Sequence, residues 1–572
     1  MLNHLLPRSP LAVLRACAWR WFAVVLLCSC TVGCAEVPQN VPRTPSQALQ
    51  APQDTALGKL SIARHGAARD DSGFMLLAGV DQAFGSRVAL IDDAQRTLDL
   101  QYYAIHADAT TEILLEHLRA AARRGVRVRI LLDDFNTVGE DAQVLRLAFV
   151  RGVEMRLFNP LPGPRRSLFG KILGSVQDGE SIQKRMHNKL FIADNAWAVA
   201  GGRNLGDAYF GGDGKSAFVD LDVLATGAIV RQMSASFDRY WNNELAYPVR
   251  TLLSRKDLNK LEADTSDSPA TGDGPRQAPP AQVPAPHASA SVLPNATPTA
   301  VVSAERPAVD LAKATLTWAP ATLLVDKPGK IGPDDDEVKA GDTVVDGLLQ
   351  LIGQAKREVL IISPYFVPGP EMMQVFAQLR QRGVAVRVLT NSLASNDAPA
   401  AHAGYSHYRK ALLKLGVELH EMRADPATAP LHGRAGSDGG GAGSGSGSGG
   451  FLGSGVGGSK SGASRASLHS KVVIIDRDLA VIGSMNLDLR SQRQNSEVAM
   501  LIRSKSISQQ VATLMEHTFA RDSYQVELDG NGLVWKAPPG ASFPDATHEP
   551  EADLGLRLLV DVLSPLAPES LL

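Results

Sequence analysis

Cysteine is scarce in this chain of 572 residues, and the four cysteines, Cys17, Cys28, Cys30 and Cys34, all lie at or before position 34. The remainder can therefore form no internal disulfide. The chain also lacks a strong charge of either sign. Its formal net charge of −2 gives no overall attraction to nucleic acid, so no nucleic-acid partner is expected.

The N-terminal apolar run, Trp21 to Leu27, is too short to span a bilayer comfortably and follows three arginines, as in a secretory signal. Residues 1–34 therefore predict a leader. Gly33-Cys34 is typical of a bacterial lipoprotein signal and predicts acylation at Cys34. Cys30 is an alternative, as is an ordinary signal or an uncleaved anchor. In each case the rest of the chain is expected outside the cytoplasm and next to a membrane. With acylation, the sequence predicts a protein of the bacterial cell envelope, membrane-anchored and facing the periplasm.

One motif occurs twice with identical spacing: H-x-K-x-x-x-x-D, six residues, then G-[GS]-x-N. The first copy has His187, Lys189, Asp194, Gly201, Gly202 and Asn204, and the second has His469, Lys471, Asp476, Gly483, Ser484 and Asn486. Two copies that share every spacing leave little room for coincidence.

The residue types of the motif suit a phosphate. Each Lys is followed by an apolar run, 190–193 or 472–475, which predicts a buried strand. Side chains two apart on a strand share a face, so each His should project beside its Lys. The Gly pair permits close backbone approach and the Asn supplies amide donors. A metal site is disfavoured because Lys would repel a cation, and no metal or cofactor is implied.

The chain shows a wider internal duplication. A strand, helix and strand pattern over residues 97–132 is repeated over 359–389, which indicates two similar α/β units. Composition divides the chain into a tether (35–73), a first half (74–260), a linker rich in Pro and Ala (261–314), a second half (315–530) and a tail (531–572). A Gly/Ser insert occupies 433–464; it is either a tolerated surface insertion or a lid.

The paired motifs resemble the phospholipase D superfamily. That resemblance implies two similar halves, each a mostly parallel β-sheet flanked by helices, which form one active site at their interface. It implies that His187 attacks phosphorus to give a phospho-histidine, while His469 acts as acid and then base, although the two roles could be exchanged. Lys189, Lys471, Asn204 and Asn486 would hold the phosphoryl oxygens.

Each histidine needs a partner that fixes its tautomer, and the candidates lie beyond each motif. Alignment on the following Val pairs Asp222 with Glu497, and these two are predicted to orient the histidines, with Asp220 as a rival to Asp222. Asp194 and Asp476 complete the set of candidate site residues. They are expected to form structural salt links rather than to carry protons.

Residues 391–397, 402–405 and 532–535 resemble bacterial cardiolipin synthases, particularly those of the C type. The resemblance implies transfer of a phosphatidyl group to phosphatidylglycerol, with phosphatidylethanolamine a possible donor. Alternatives are a phospholipase D that releases phosphatidic acid, a secreted nuclease, and an inactive lipid-binding protein. The membrane is an expected partner, and Arg165 to Leu173 either contacts it or packs as a helix. Leu554 to Leu563 presents the same two alternatives. Nothing in the sequence indicates the oligomeric state.

Overall fold

The computed structural model describes residues 37–38, 40–65, 71–162, 182–211, 216–253, 257, 307–332, 343–424 and 465–564. Four predicted features lie outside these residues: the leader with Cys34 and Cys30, most of the linker, the segment Arg165 to Leu173, and the Gly/Ser insert.

Twenty strands are present in the described ranges. They are β1 (Ser72–Leu77), β2 (Thr97–Tyr102), β3 (Arg127–Asp133), β4 (Val153–Phe158), β5 (Leu190–Ala193), β6 (Trp197–Gly201), β7 (Ser216–Val219), β8 (Asp222–Gly227), β9 (Ala246–Pro248), β10 (Thr317–Ala319), β11 (Ala321–Val325), β12 (Glu358–Ile362), β13 (Ala385–Asn391), β14 (Glu418–Met422), β15 (Arg465–Leu468), β16 (Val472–Ile475), β17 (Leu479–Gly483), β18 (Val498–Arg503), β19 (Ser523–Asp529) and β20 (Gly532–Lys536).

The same ranges contain twelve α-helices. They are α1 (Ala56–Arg64), α2 (Val80–Asp93), α3 (Ala109–Arg123), α4 (Asp207–Phe210), α5 (Ala228–Trp241), α6 (Val249–Leu252), α7 (Val344–Gly353), α8 (Gly369–Gln381), α9 (Pro399–Lys414), α10 (Leu489–Arg493), α11 (Lys505–Arg521) and α12 (Leu554–Leu563). Within these described parts, no helix is both long enough and apolar enough to cross a membrane.

Eighteen of these strands form two nine-stranded sheets, and β7 and β15 form a separate two-stranded sheet. Eight strands follow the same order in both large sheets, while β10 and β20 extend them at opposite edges, which confirms the α/β architecture of two similar halves. One sheet runs β10-β1-β8-β6-β5-β2-β3-β4-β9 and the other β11-β18-β17-β16-β12-β13-β14-β19-β20. The expectation of mostly parallel sheets is wrong in detail. Within these two sheets, only the neighbouring strands of β2-β3-β4 and of β12-β13-β14 pair in parallel, and the other neighbours pair antiparallel. The motif strands follow as antiparallel hairpins.

Both faces of each motif strand are buried, which explains their uninterrupted apolar sequences. Leu190 and Ile192 of β5 point into a central core that also contains Val472 and Ile474 of β16. The alternate residues point outward: Phe191 packs into the outer core of the first half, and Val473 into that of the second. The two sheets therefore meet face to face across a shared apolar layer.

The structure moves three of the predicted boundaries. The predicted tether (35–73) contains α1 and the start of β1, so its end belongs to the first half. Thr317–Ala319, assigned to the second half, pairs as β10 with β1 of the first. Gly532–Lys536, assigned to the tail, pairs as β20 with β19 and completes the second sheet.

Candidate active site

Short backbone bridges between the halves hold the two motifs at one interface. The His187 amide donates to the Ser496 carbonyl at 2.9 Å, and the His469 amide donates to the Val219 carbonyl at 2.8 Å. Strand β15, which ends at Leu468 just before His469, runs parallel to β7 of the first half. Each histidine is therefore docked on the loop that follows the motif of the other half.

This docking pairs each histidine with a carboxylate from the opposite half. His187 Nδ1 lies 3.0 Å from both carboxylate oxygens of Glu497, and His469 Nδ1 lies 2.6 Å from Asp220 Oδ2. An ionised carboxylate only accepts, so each Nδ1–H donates and each Nε2 keeps its lone pair for chemistry. The histidines are 8% and 5% exposed, and both carboxylates are fully buried.

Asp220, rather than Asp222, is the structural counterpart of Glu497. Gly201 pairs with Asp222 in the first sheet, whereas Gly483 pairs with Ala499 in the second, so alignment on the following Val is shifted by two residues. Asp222 instead accepts from Arg87 Nη2 at 2.8 Å and lies 3.5 Å from Arg203 Nη1. The prediction that Asp222 orients a histidine is therefore wrong, and its rival Asp220 occupies that position.

The lysines and asparagines of both motifs lie in the same site. Lys189 Nζ donates to the His187 carbonyl at 2.8 Å, and Lys471 Nζ donates to the His469 carbonyl at 2.5 Å. Asn204 Nδ2 donates to the Tyr209 hydroxyl at 2.9 Å. Among described atoms, nothing donates to Oδ1 of Asn204 or Asn486. An Oδ1 atom only accepts and cannot hold a phosphoryl oxygen, so the part of each Asn that can bind a phosphate is its Nδ2 group, which carries two N–H donors.

Burial dominates the protonation equilibria of this site. It lowers the pKa of His187 to about 4 and that of Lys189 to about 7, although Glu497 opposes both shifts. Burial also lowers the pKa of Lys471 to about 8, and burial with the charge of Lys471 holds the pKa of His469 well below its ordinary value. A bound phosphate anion would favour the charged form of all four groups.

The two orienting carboxylates have different surroundings. Glu497 accepts from the hydroxyls of Ser484 at 2.5 Å and Ser491 at 3.0 Å. Burial tends to raise its pKa, but His187 and its other neighbours outweigh burial and lower it. Asp220 accepts from the Leu221 amide at 2.8 Å, and burial raises its pKa. The two equivalent histidines are therefore paired with carboxylates whose pKa values shift in opposite directions.

Asp194 and Asp476 stabilise the turns of the motif hairpins. Each has a left-handed backbone, with φ of 51° and 55°, at a tight turn that follows the motif strand. Asp194 accepts from the backbone amides of Gln95, Arg96 and Thr97, and Asp476 accepts from those of residues 356–358. Their partners are amides rather than the cations expected from the sequence. They lie at the opposite ends of β5 and β16 from the histidines.

The two glycines of the first motif leave room for the carboxylates of Asp220 and Asp222. A Cβ on Gly202 would lie 2.2 Å from Asp220 Oδ1, and a Cβ on Gly201 would lie 2.3 Å from Asp222 Oδ1. The sequence predicts that these glycines let the backbone approach a ligand. In the structure they let it approach two acidic residues of the same half.

Aromatic contacts around the histidines were not predicted from the sequence. The ring of Tyr103 meets that of His187 edge-on at 5.1 Å, and Tyr209 meets His469 in the same way at 5.2 Å. Phe218 lies 4.9 Å from His469. Tyr103 directly follows β2, and β2 pairs with β5, the strand that follows His187. The position of Tyr103 at the end of that neighbouring strand is the sequence feature from which its contact with His187 could have been predicted.

The chain is similar in sequence to known proteins over most of its length. The family model described as "Cardiolipin synthase, PLD-like domain" matches residues 88–241, 348–437 and 456–519. Cardiolipin synthase C of Escherichia coli (strain K12) is 34% identical over 500 residues, which cover 86% of this chain and 94% of the relative. Cardiolipin synthase B of Salmonella typhi is 24% identical over 463 residues, covering 80% and 83%. A solved phosphatidylserine synthase of Haemophilus influenzae Rd KW20 aligns at 14% identity and a TM-score of 0.48, covering 79% of this chain and 87% of that one.

The duplicated α/β halves and the paired His and Lys residues are those of the phospholipase D superfamily. Within that superfamily, this chain belongs to the cardiolipin synthase-like phosphatidyltransferases, and it is an enzyme.

Proposed function

We propose that this enzyme is a cardiolipin synthase, which transfers a phosphatidyl group from a donor phospholipid to a hydroxyl of phosphatidylglycerol. The observation that carries the proposal is the pair of buried His-carboxylate dyads, each completed by the opposite half. The names of the relatives supply the lipid class. Phosphatidylethanolamine is a second possible donor beside phosphatidylglycerol itself.

In the proposed first step, His187 Nε2 forms a bond to phosphorus and the bond from phosphorus to the leaving alkoxide breaks. The alkoxide takes its proton from Nε2 of His469, which must be in the imidazolium form when the phosphate anion is bound. In the second step the acceptor hydroxyl oxygen attacks phosphorus, its proton goes to His469, and the electron pair of the P–N bond returns to His187. The two lysines balance the charge of the non-bridging oxygens, and Asn204 and Asn486 donate to them.

The experiment is mass spectrometry of lipids after incubation of the purified protein with phosphatidylglycerol vesicles, with and without phosphatidylethanolamine. Cardiolipin as the main product supports the proposal, and a requirement for phosphatidylethanolamine would identify the donor. Phosphatidic acid as the only product would mean that water is the acceptor and that the enzyme is a hydrolase.

Exchange of either histidine tests the shared site. His187→Ala and His469→Ala should each lower turnover on the order of 10³-fold or more, because neither half holds a complete set of nucleophile, acid and orienting carboxylate. Activity near wild type in either variant contradicts the mechanism.

We also propose that the enzyme is anchored to a membrane of the cell envelope through an acylated Cys34. Labelling of cells with a fatty acid analogue should mark the wild type and not Cys34→Ala. Label that persists in Cys34→Ala and is lost in Cys30→Ala would move the site to Cys30.

A further inference from the structure

The site contains a carboxylate that the proposed mechanism leaves without a role. The Tyr365 hydroxyl donates to Asp397, lying 2.8 Å and 2.9 Å from its two oxygens. Asp397 also interacts electrostatically with Lys471 and with Tyr209, which borders His469. This pair, Asp397 with Tyr365, therefore lies beside the second dyad.

The loop that carries Asp397 is fixed to the residue that precedes His469. Asn391, at the end of β13, donates through Nδ2 to the Leu468 carbonyl at 2.9 Å and accepts from the Leu468 amide at 2.8 Å. Leu468 directly precedes His469. The Ser395 hydroxyl donates to Asn391 Oδ1 at 3.1 Å and so ties the loop together. The position of Asp397 is thereby coupled to that of His469.

Tyr365 is fixed to the other end of the same motif. The Ser363 hydroxyl donates to the Tyr365 carbonyl at 2.6 Å and accepts from the Leu487 amide at 3.0 Å. The Val367 amide donates a hydrogen bond to the Leu487 carbonyl at 2.9 Å. Leu487 directly follows Asn486, so the Asp397–Tyr365 pair is held between the His and Asn ends of the second motif.

A carboxylate in this position is poorly suited to the phosphate itself, because like charges repel. Ionised, it only accepts hydrogen bonds, so it suits a ligand that donates them. Both residues are half-buried, in contrast to the fully buried Asp220 and Glu497. A glycerol headgroup presents two hydroxyls, of which one can attack phosphorus while the other donates to a fixed acceptor.

We propose that Asp397 and Tyr365 form the subsite for the polyol headgroup of the acceptor lipid and so favour transfer over hydrolysis. The inference rests on the proposed function and names the part of the site that selects the acceptor. The attacking hydroxyl loses its proton to His469, as above. Asp397 accepts a hydrogen bond from the second hydroxyl and takes no proton.

The test measures cardiolipin and phosphatidic acid together in the phosphatidylglycerol vesicle assay. Asp397→Asn should lower the ratio of cardiolipin to phosphatidic acid about tenfold, since the acceptor of the hydrogen bond loses its charge. Tyr365→Phe keeps the carboxylate and should lower the ratio by about threefold. Asp545→Asn is the matched control, because that carboxylate is exposed and pairs with Lys536; its product ratio should equal wild type.

Soluble acceptors identify the chemistry that the subsite recognises. With glycerol or ethanolamine added, Asp397→Asn should lose transfer to glycerol and keep transfer to ethanolamine. Loss of the ethanolamine product alone would overturn the inference in favour of an ammonium site. An unchanged ratio in both variants, or an equal fall of both products, would also overturn it while the wild-type cardiolipin product upholds the proposed function. A wild type that makes no cardiolipin would instead refute the proposed function and this inference with it.

Discussion

Replacement of Asp220 and Asp222, one at a time, separates a residue that orients a histidine from one that stabilises the fold. The two carboxylates are two residues apart and both fully buried. Asp220 contacts His469, whereas Asp222 contacts Arg87 and Arg203. The conservative change to Asn keeps size and removes charge, so the two variants are well matched.

We expect Asp220→Asn to lower turnover by a factor on the order of 10²–10⁴, because His469 loses the charge that fixes its tautomer and stabilises its protonated form. We expect Asp222→Asn to lower the free energy of unfolding by about 3–5 kcal/mol, because Arg87 is left buried without its ion-pair partner. Asp222→Asn should keep near-normal turnover per folded molecule.

The assay combines urea unfolding of each variant with lipid turnover at a temperature where both are folded. Asp220→Asn with more than about a tenth of wild-type turnover would refute its orienting role. A folded Asp222→Asn variant that loses as much turnover as Asp220→Asn would restore Asp222 as a functional partner and refute the structural alignment.

Three further predictions concern the stability of a motif turn, the space that Gly202 leaves for Asp220, and the pH dependence of stability. Asp194→Ala should lower the free energy of unfolding by about 1–3 kcal/mol, since three backbone amides lose their acceptor, with turnover per folded molecule unchanged; a loss of turnover at full stability would show a catalytic role. Gly202→Ala should lower turnover because its Cβ displaces Asp220, whereas Gly79→Ala, whose Cβ would lie 3.8 Å from its neighbour, should not; equal effects would contradict the packing argument. His187 has a pKa of about 4 in the folded chain and 6.5 in the unfolded one, so the unfolded state binds the extra proton as pH falls through this window, and about 3 kcal/mol of stability is lost. Urea unfolding from pH 7 to 4 should show this loss in wild type and less of it in His187→Asn, and identical pH profiles would contradict a neutral buried His187.

The sequence contains enough to predict the motif strands and the duplication. Strands β5 and β16 occupy the two apolar runs predicted for them, because burial on both faces selects apolar residues at every position. The repeat of the strand-helix-strand pattern indicates equivalent halves, and eight strands follow the same order in both sheets. These features depend on local sequence and are therefore readable from it.

Partners from distant parts of the chain are harder to read. Asp220 and Asp222 are both acidic and both precede Val223, and only the register between β6 and β8 decides which of them faces the site. The contact of His187 with Glu497 joins residues of opposite halves. It depends on how the two halves pack together, which no local sequence pattern predicts. The antiparallel pairing of the motif strands is also hard to predict. It depends on hairpins whose turns contain Asp-Asn or Asp-Arg, and neither turn has the glycine that usually identifies a two-residue hairpin loop.

The crossed dyads and the glycine-to-serine difference together explain how a duplicated site can assign different roles to its two histidines. At Gly202 any Cβ would enter the space of Asp220, whereas Ser484, its counterpart, donates a hydroxyl hydrogen bond to Glu497. A carboxylate whose charge is shared among several donors attracts the proton of its histidine less strongly than one with fewer donors. The two dyads are therefore equivalent in position, and their carboxylates differ in their donors. Unequal carboxylates are what the proposed mechanism needs, because in it one imidazole attacks phosphorus while the other delivers a proton.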